Sequence, residues 1–502
     1  MAEDTSSRSR FPAAAALGWT YAGTFARIGA QFFIGLTMAR WLGPEPYGIT
    51  AAALIPITLA GLLTNAGLAS AVIQRGKLDS RDLAGAWWLQ VALGLILALA
   101  IGLAAPVIAR GLGQPRIVPV MRVMAIGLPI GAVVGMGTAI LIRDLRSKPV
   151  QIASVCSYLI GYGGVGLTLA LKGAGVWAVA FSQLSQSLIQ GIILMAAGRP
   201  DLRNPRWPAG MVRFGAWSML SNVTSWGLGN NHQALASRYL GIFALGHYNR
   251  FGLVTEVPIS TFAGPVQQVL LPAMARAESA ERRQELVCAA ITGIGLLFIP
   301  AMGLLAIHSH LVVGVVFGPA FLPQAKMLVP MAVAAMLTAL GCIAGPVVTG
   351  LGRPRLDWLI QLASFLLSIP ILILSVRMGI RALCWGLALL ALMRFLFSFA
   401  VLVRIGVVTS RLLVLAVGRA LFPAVIGLAA SCLPVQIWGQ CNGRLTLLQL
   451  LLAAGLGWAG SLFLGWRYFA PPALQRIATH MIDRLGCLCG LVSRSASKSV
   501  KP

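Results

Sequence analysis

The sequence predicts an all-α polytopic membrane protein of about fourteen transmembrane helices. Three observations predict it. Long apolar stretches follow one another almost from end to end of the 502 residues. Hydrophobic residues make up 58% of the chain and charged residues 10%, against roughly 25% charged in a soluble domain. The basic residues gather in alternate loops. A bilayer core about 30 Å thick takes roughly 20 apolar residues per helix, whereas barrel strands would run about 10 residues with alternating polarity. The apolar runs here have the length of helices.

Taken in order, the spans read at 13–38, 47–70, 84–109, 117–141, 150–170, 175–197, 211–236, 243–272, 286–307, 325–349, 357–376, 381–404, 413–433 and 446–467. The first follows a short polar stretch and is too long for the apolar region of a cleavable signal, so it is expected to be retained. Pro56 in the second span, Pro129 in the fourth, Pro258 and Pro265 in the eighth and Pro370 in the eleventh are tolerated where neighbouring helices satisfy the freed backbone groups, and kinks are expected there. The seventh span is unusually polar, with Ser221, Asn222, Thr224, Ser225, Asn230, Asn231, His232 and Gln233.

The loop charges orient the chain. With a cytoplasmic N-terminus, twenty-five basic residues fall in cytoplasmic segments and nine, including Arg40, Arg110 and Arg238, fall on the opposite side. This asymmetry predicts an even number of helices and cytoplasmic termini. The net charge of +26 is then topology signal beside anionic headgroups, and no nucleic-acid partner is expected. Beyond Pro472, the residues Leu474, Ile477, Ala478, Met481, Ile482 and Leu485 recur at helical spacing and predict an interfacial amphipathic helix. Cys487 and Cys489 form a lone C-x-C without a second ligand cluster, so no metal is predicted.

A faint duplication runs through the chain. Ala39-Arg40-Trp41-Leu42-Gly43, with Gly48 five residues on, echoes Ser237-Arg238-Tyr239-Leu240-Gly241, with Gly246 five residues on. The offset, 238 − 40 = 198 residues, spans six predicted helices. Six is even, so both copies face the same side, as parallel repeats of transporters do. The predicted organisation is a cytoplasmic segment 1–12, a six-helix lobe 13–197, a second lobe 211–404, an extra helix pair 413–467 and a basic cytoplasmic tail 468–502.

Catalysis finds no support. Twelve of the thirteen acidic residues lie in loops or at helix ends, and Glu256 alone lies clearly within a span. There are no paired intramembrane carboxylates for acid–base or metal chemistry, no DxD, no HExxH and no phosphate-binding glycine loop. No cofactor is expected.

Specific segments carry a family resemblance. Ala39-Arg40-Trp41-Leu42-Gly43-Pro44-Glu45-Pro46-Tyr47-Gly48 resembles the ARxLGPxxYG turn after the first helix of polysaccharide-transport flippases, and Gly67 to Arg75 their second-helix ending. Leu240-Gly241-Ile242-Phe243-Ala244-Leu245-Gly246-His247-Tyr248 is similar to their LGxxALGxY segment. Phe317-Gly318-Pro319 and Gly350-Leu351-Gly352-Arg353-Pro354 fit the same pattern. The chain resembles the Wzx-type oligosaccharide flippases of the MOP superfamily, which act in lipopolysaccharide and exopolysaccharide biosynthesis. The resemblance implies two six-helix lobes around a central cavity and movement of undecaprenyl-diphosphate-linked oligosaccharide from the cytoplasmic to the periplasmic leaflet of the bacterial inner membrane. Its implied partners are the lipid-linked oligosaccharide, membrane lipids, a polysaccharide polymerase and a chain-length regulator.

Charges inside spans cost roughly 2.5–3.5 kcal/mol on insertion scales and mark function by default. Arg27 lies mid-helix on a stripe with Thr24 and Gln31, and Arg250 sits beside Asn249. Both are candidate cavity cations for a diphosphate. Glu256, six residues past Arg250, is a coupling carboxylate or an ion-pair partner of Arg27. Arg122 and Arg419 lie near span ends, where snorkelling is expected, and Arg394 is read as an interhelix pair. Asn222, Asn230, Asn231 and His232 in the polar seventh span read as a wet cavity wall, with interhelix hydrogen bonding as the alternative. Trp19, Tyr21 and Trp226 are candidates for stacking on sugar rings. An ion-coupled multidrug or small-molecule exporter of the same superfamily, a membrane polymerase or ligase of lipid-linked glycans, and an assembly scaffold are the alternative functions.

Overall fold

The computed structural model describes residues 10–433 and 452–469, apart from 66, 67, 70, 71, 73–78, 145 and 208. All regular elements among them are helical. They are α1 (Arg10–Leu42), α2 (Pro44–Asn65), α3 (Ser80–Gly111), α4 (Val118–Ala125), α5 (Gly127–Arg143), α6 (Ser147–Leu171), α7 (Val176–Gly198), α8 (Ala209–Pro258), α9 (Gly264–Arg276), α10 (Ala280–Ile307), α11 (Ser309–Val316), α12 (Leu328–Gly341), α13 (Ala344–Gly350), α14 (Pro354–Arg377), α15 (Ile380–Arg404), α16 (Ser410–Ser431) and the short α17 (Gly460–Leu464). The middle of α6, Leu159–Gly166, widens into π-helical turns.

Among the described residues nine helices are long and apolar enough to cross a membrane, and ten if Pro115–Ala125 and Gly127–Arg143, bent by 42°, form one span. The fourteen expected from the sequence is not reached on that measure, for identifiable reasons. Arg27 and Gln31 dilute α1, the asparagines and serines of 221–233 dilute the first part of α8, His247, Asn249, Arg250 and Glu256 dilute the predicted span 243–272, and the predicted helix 446–467 is only partly within the described residues. The amphipathic tail, Cys487, Cys489 and most of the Gly67–Arg75 segment also lie outside them.

The chain divides into two compact units. Unit 1 is Met1–Leu253, Val316–Gln324 and Phe365–Leu383, and unit 2 is Val254–Val315, Ala325–Ser364 and Cys384–Pro502. Unit 1 packs Leu68, Val72, Trp87, Met136 and Ile140 into one core cluster and Leu141, Ala153 and Leu194 into another. Unit 2 is built around Phe298, Met302, Ala335, Leu340, Val347 and Phe399. Apolar side chains also face outward, as in a protein solvated by lipid: Leu95, Leu99, Leu103 and Val107 repeat every four residues along α3 and are 63–72% exposed. Small residues let backbones approach, as expected where packing rather than water drives helix association; Gly137, for example, lies against Leu194.

The two copies of the repeated motif meet inside unit 1. Arg40 at the end of α1 donates from Nε to the Val316 carbonyl at 3.2 Å, where α11 ends. Arg238 donates from Nη1 to the Arg110 carbonyl at 2.9 Å, where α3 ends. A cation on a helix C-terminus satisfies orphan carbonyls and the negative end of the helix dipole. Gly241 breaks α8 with φ 84° and ψ 173°, a left-handed conformation that glycine adopts without steric cost. The sequence places a turn at the same point, between 236 and 243.

Candidate functional site

The polar centre of unit 1 is assembled on one stripe of α6. Ser154 and Tyr158 are four residues apart and share a helix face, and the Tyr162 ring stacks on Tyr158 at 4.8 Å and 15°. Tyr162 stands within the π-helical stretch; such widened turns recur at functional positions.

Two arginines stand within the spans of unit 1, and one of them reaches this stripe. Helix α1 packs against α6, and Arg27 donates from Nη1 to Ser154 Oγ at 3.1 Å. Arg27 is otherwise exposed, and Gln31 on the next turn is half-buried. From α8, beyond the break at Gly241, the Arg250 guanidinium lies over the Tyr47 ring with Cζ 3.7 Å from the centroid. Arg250 Nη2 donates to Asn249 Oδ1 at 2.9 Å, and its buried Nε has no hydrogen-bond partner among the described residues. Arg27 is thus tied to α6 through Ser154 and Arg250 is held over Tyr47 on α2, each guanidinium with donors left over for an anion. A cation over a desolvated ring gains on the order of 2 kcal/mol, which holds Arg250 in place without neutralising it.

A cavity of about 190 Å³ opens in the same unit among α2, α4, α5 and α7, with Thr58, Asn65, Gln183 and Ser187 in its walls. Asn65 Oδ1 accepts from Gln90 Nε2 at 2.6 Å, and Thr58 Oγ1 accepts from Trp226 Nε1 at 3.0 Å. The indole of Trp226 is thereby held by its polar edge. Trp19 and Tyr21 lie outside the residues whose side chains are described.

The polar seventh span divides between several roles. Asn230 Nδ2 donates to the Trp226 carbonyl of its own helix at 3.0 Å. Asn231 Nδ2 donates to Ser368 Oγ on α14 at 2.6 Å, which is hydrogen-bonded glue between helices. His232 is buried, its ring edge-on to Tyr248 at 5.1 Å, and both of its nitrogens lack partners among the described residues. The side chain of Asn222 lies outside the described residues.

The other intramembrane charges are described within their own units. Arg122 is exposed and donates from Nε to the Gly102 carbonyl at 3.2 Å, and Arg419 is exposed. Glu256 belongs to unit 2 and its side chain is exposed. Arg394, half-buried in unit 2, feels Asp357 as its main opposing charge, and Asp357 Oδ2 accepts from Gln361 Nε2 at 2.9 Å.

Tyr47, Ser154, Tyr158 and Tyr162 escaped the sequence reading as site residues. Tyr47 had a signal, since it stands in the motif that carries the family resemblance. The spacing of four through 154, 158 and 162 was a second, visible only once the stripe had a cation to face.

A family model described as polysaccharide biosynthesis protein matches residues 37–326. The chain is 22% identical over 397 residues to the lipopolysaccharide biosynthesis protein WzxC of Escherichia coli strain K12, covering 77% of this chain and 80% of WzxC. Among solved structures, the lipid II flippase MurJ in an inward closed conformation superposes with a TM-score of 0.69 at 13% identity, covering 89% of this chain and 99% of MurJ. An inward-facing multidrug resistance MATE family transporter of the MOP superfamily superposes with a TM-score of 0.61 at 19% identity, covering 77% of this chain and 98% of the other. The fold is that of these transporters.

Proposed function

We propose that this chain, which belongs to the polysaccharide biosynthesis protein family, is a flippase that carries undecaprenyl-diphosphate-linked oligosaccharide from the cytoplasmic to the periplasmic leaflet of the bacterial inner membrane. The observation that carries the reading is that unit 1 holds two intramembrane guanidinium groups with donors to spare, Arg27 bonded to Ser154 on α6 and Arg250 stacked over Tyr47 on α2. A diphosphate crossing hydrocarbon needs charge-assisted donors on two sides, and guanidinium groups supply them in a fork that matches phosphate oxygens. Buried Tyr47 and Tyr158 back this region, and half-buried Tyr162 is the ring that offers a face and a hydroxyl to the first sugar. Alternating access then carries the headgroup across while the lipid tail stays in lipid. The protein acts as a transporter, with lipid-linked oligosaccharide and membrane lipids as its partners and a polymerase and chain-length regulator downstream. Glu256, exposed in unit 2, is the candidate for ion coupling.

The likeness to a multidrug resistance transporter is one of fold. An exporter of cationic drugs would want carboxylates where this chain presents two arginines, so the charge of the site favours an anionic cargo.

The test follows the lipid-linked glycan. The chain is depleted in its host, sugars are labelled, and the leaflet holding the undecaprenyl-diphosphate oligosaccharide is determined. Accumulation on the cytoplasmic side, rescued by wild type and not by Arg27→Ala or Arg250→Ala, is the expected result. Unchanged leaflet distribution with shortened or unligated glycan would overturn the proposal in favour of polymerisation or ligation.

A further inference from the structure

Unit 2 contains a second concentration of cationic side chains, unrelated to the Arg27–Arg250 site. A cavity of about 310 Å³ opens where α9 and α13 end, α10 begins and α15 ends. We propose that this cavity, with Arg283 and Arg353 in its wall, binds the phosphate group of an anionic membrane lipid or of a soluble phosphate.

Four features support it. Its volume falls at the small end of the range for small-ligand sites, about 300–1,000 Å³. Arg283 is half-buried and donates from Nε to the Ala277 carbonyl at 2.9 Å, which fixes the plane of the guanidinium and leaves its two amino groups as the fork that phosphate oxygens accept from. Arg353 follows Gly352 (φ 75°) in a tight turn closed by its own N–H to the Val348 carbonyl at 3.1 Å. Finally, none of the ten residues around the cavity is acidic. Glu285, one turn along α10, is engaged by Arg282 at 2.9 Å, and neither Arg283 nor Arg353 is in an ion pair among the described residues.

The remaining wall suits a lipid. Leu351, Ile405 and Val407 give the cavity an apolar side next to its cationic one. The three loops that form it, near 276–283, 350–354 and 404–410, all belong to the set that the basic asymmetry assigns to the cytoplasmic face. Arginines at that level meet the anionic headgroups of the inner leaflet.

The test uses the full chain in neutral detergent micelles. Phosphatidylglycerol, diacylglycerol with the same acyl chains, and inorganic phosphate are titrated separately while the unfolding midpoint is followed. Phosphatidylglycerol is expected to raise the midpoint of wild type, diacylglycerol is not, and Arg283→Gln or Arg353→Gln is expected to need about tenfold or more phosphatidylglycerol for half the effect. Arg411→Gln, outside the cavity, is expected to respond as wild type. A shift produced by inorganic phosphate alone, and abolished by the same two substitutions, supports the site and assigns it to a soluble phosphate. Wild-type responses to both phosphatidylglycerol and phosphate in the two variants, or equal stabilisation by diacylglycerol, overturn the proposal. Arg353 is exposed on a turn, so its variant carries the test if Arg283→Gln fails to fold.

Discussion

Gly48 and Gly246 make one contact twice, in opposite directions. Gly48 on α2 lies against the Ile242 carbonyl, and Gly246 on α8 lies against the Pro44 carbonyl. Both pairs are related by the 198-residue offset of the duplicated motif, 246 − 48 and 242 − 44. The repeated glycines are therefore the places where two helix starts cross at backbone contact. At either position a Cβ would strike a main-chain oxygen, which cannot yield as a side-chain tip can.

Gly48→Ala and Gly246→Ala are accordingly expected to destabilise the protein by about 1–3 kcal/mol each, read as a fall in the unfolding midpoint in detergent. The double variant should cost less than the two together, because one displaced crossing relieves both contacts. Gly102→Ala, in α3 with open space around the added carbon, should be neutral or stabilising.

The ring of Tyr47, rather than its hydroxyl, is expected to hold Arg250. Tyr47→Phe keeps the face beneath the guanidinium and should retain glycan export near the wild-type level. Tyr47→Leu removes it, for a loss of up to roughly 2 kcal/mol in a desolvated site, and export should fall several-fold. Equal activity in the two variants would show that the stacking does not position Arg250.

Asp357 supports the charge of half-buried Arg394 in unit 2. Removing one charge leaves the other uncompensated, which costs more than removing both. Asp357→Asn should lower the unfolding midpoint clearly, and Asp357→Asn with Arg394→Met should recover most of the loss. Asp79→Asn, at an exposed helix start, serves as the control.

His308, just past the end of α10, is buried with Nε2 3.1 Å from Ser431 Oγ. Since the Ser431 hydroxyl donates to the Leu428 carbonyl, it accepts from the imidazole N–H. Burial holds His308 below its ordinary value, with the serine contact opposing in part. A lowered folded value means that the neutral ring is the form the fold prefers. Its contribution is complete above about pH 6.5 and is lost as pH falls toward the folded value. The unfolding midpoint should drop on acidification through that window, and His308→Gln should flatten the drop.

Much of this architecture was legible in the residues. The helix bounds fall within a few residues of the apolar runs, and Gly241 interrupts α8 where the sequence places a turn, because chain-breaking and apolar length are local properties. Arg27 and Arg250 stood out for the same reason, as charges in runs that otherwise exclude them. What they touch was not legible. Tyr47 and Arg250 are some two hundred residues apart, and Asn231, read either as a cavity wall or as interhelix hydrogen bonding, meets Ser368 137 residues later. The π-helical turns of α6 leave no mark in composition, since the same apolar residues suit either winding.

The arginine clasp has a consequence for biosynthesis. Arg238 completes the end of α3 from 128 residues downstream, and Arg40 waits 276 residues for Val316. At roughly 5–20 residues per second of synthesis, the first half of the chain emerges with its third helix end still lacking its partner for several seconds. A chain truncated before residue 238 lacks the donor that meets the Arg110 carbonyl. The two repeated arginines thus each close a helix end made far from them in the chain.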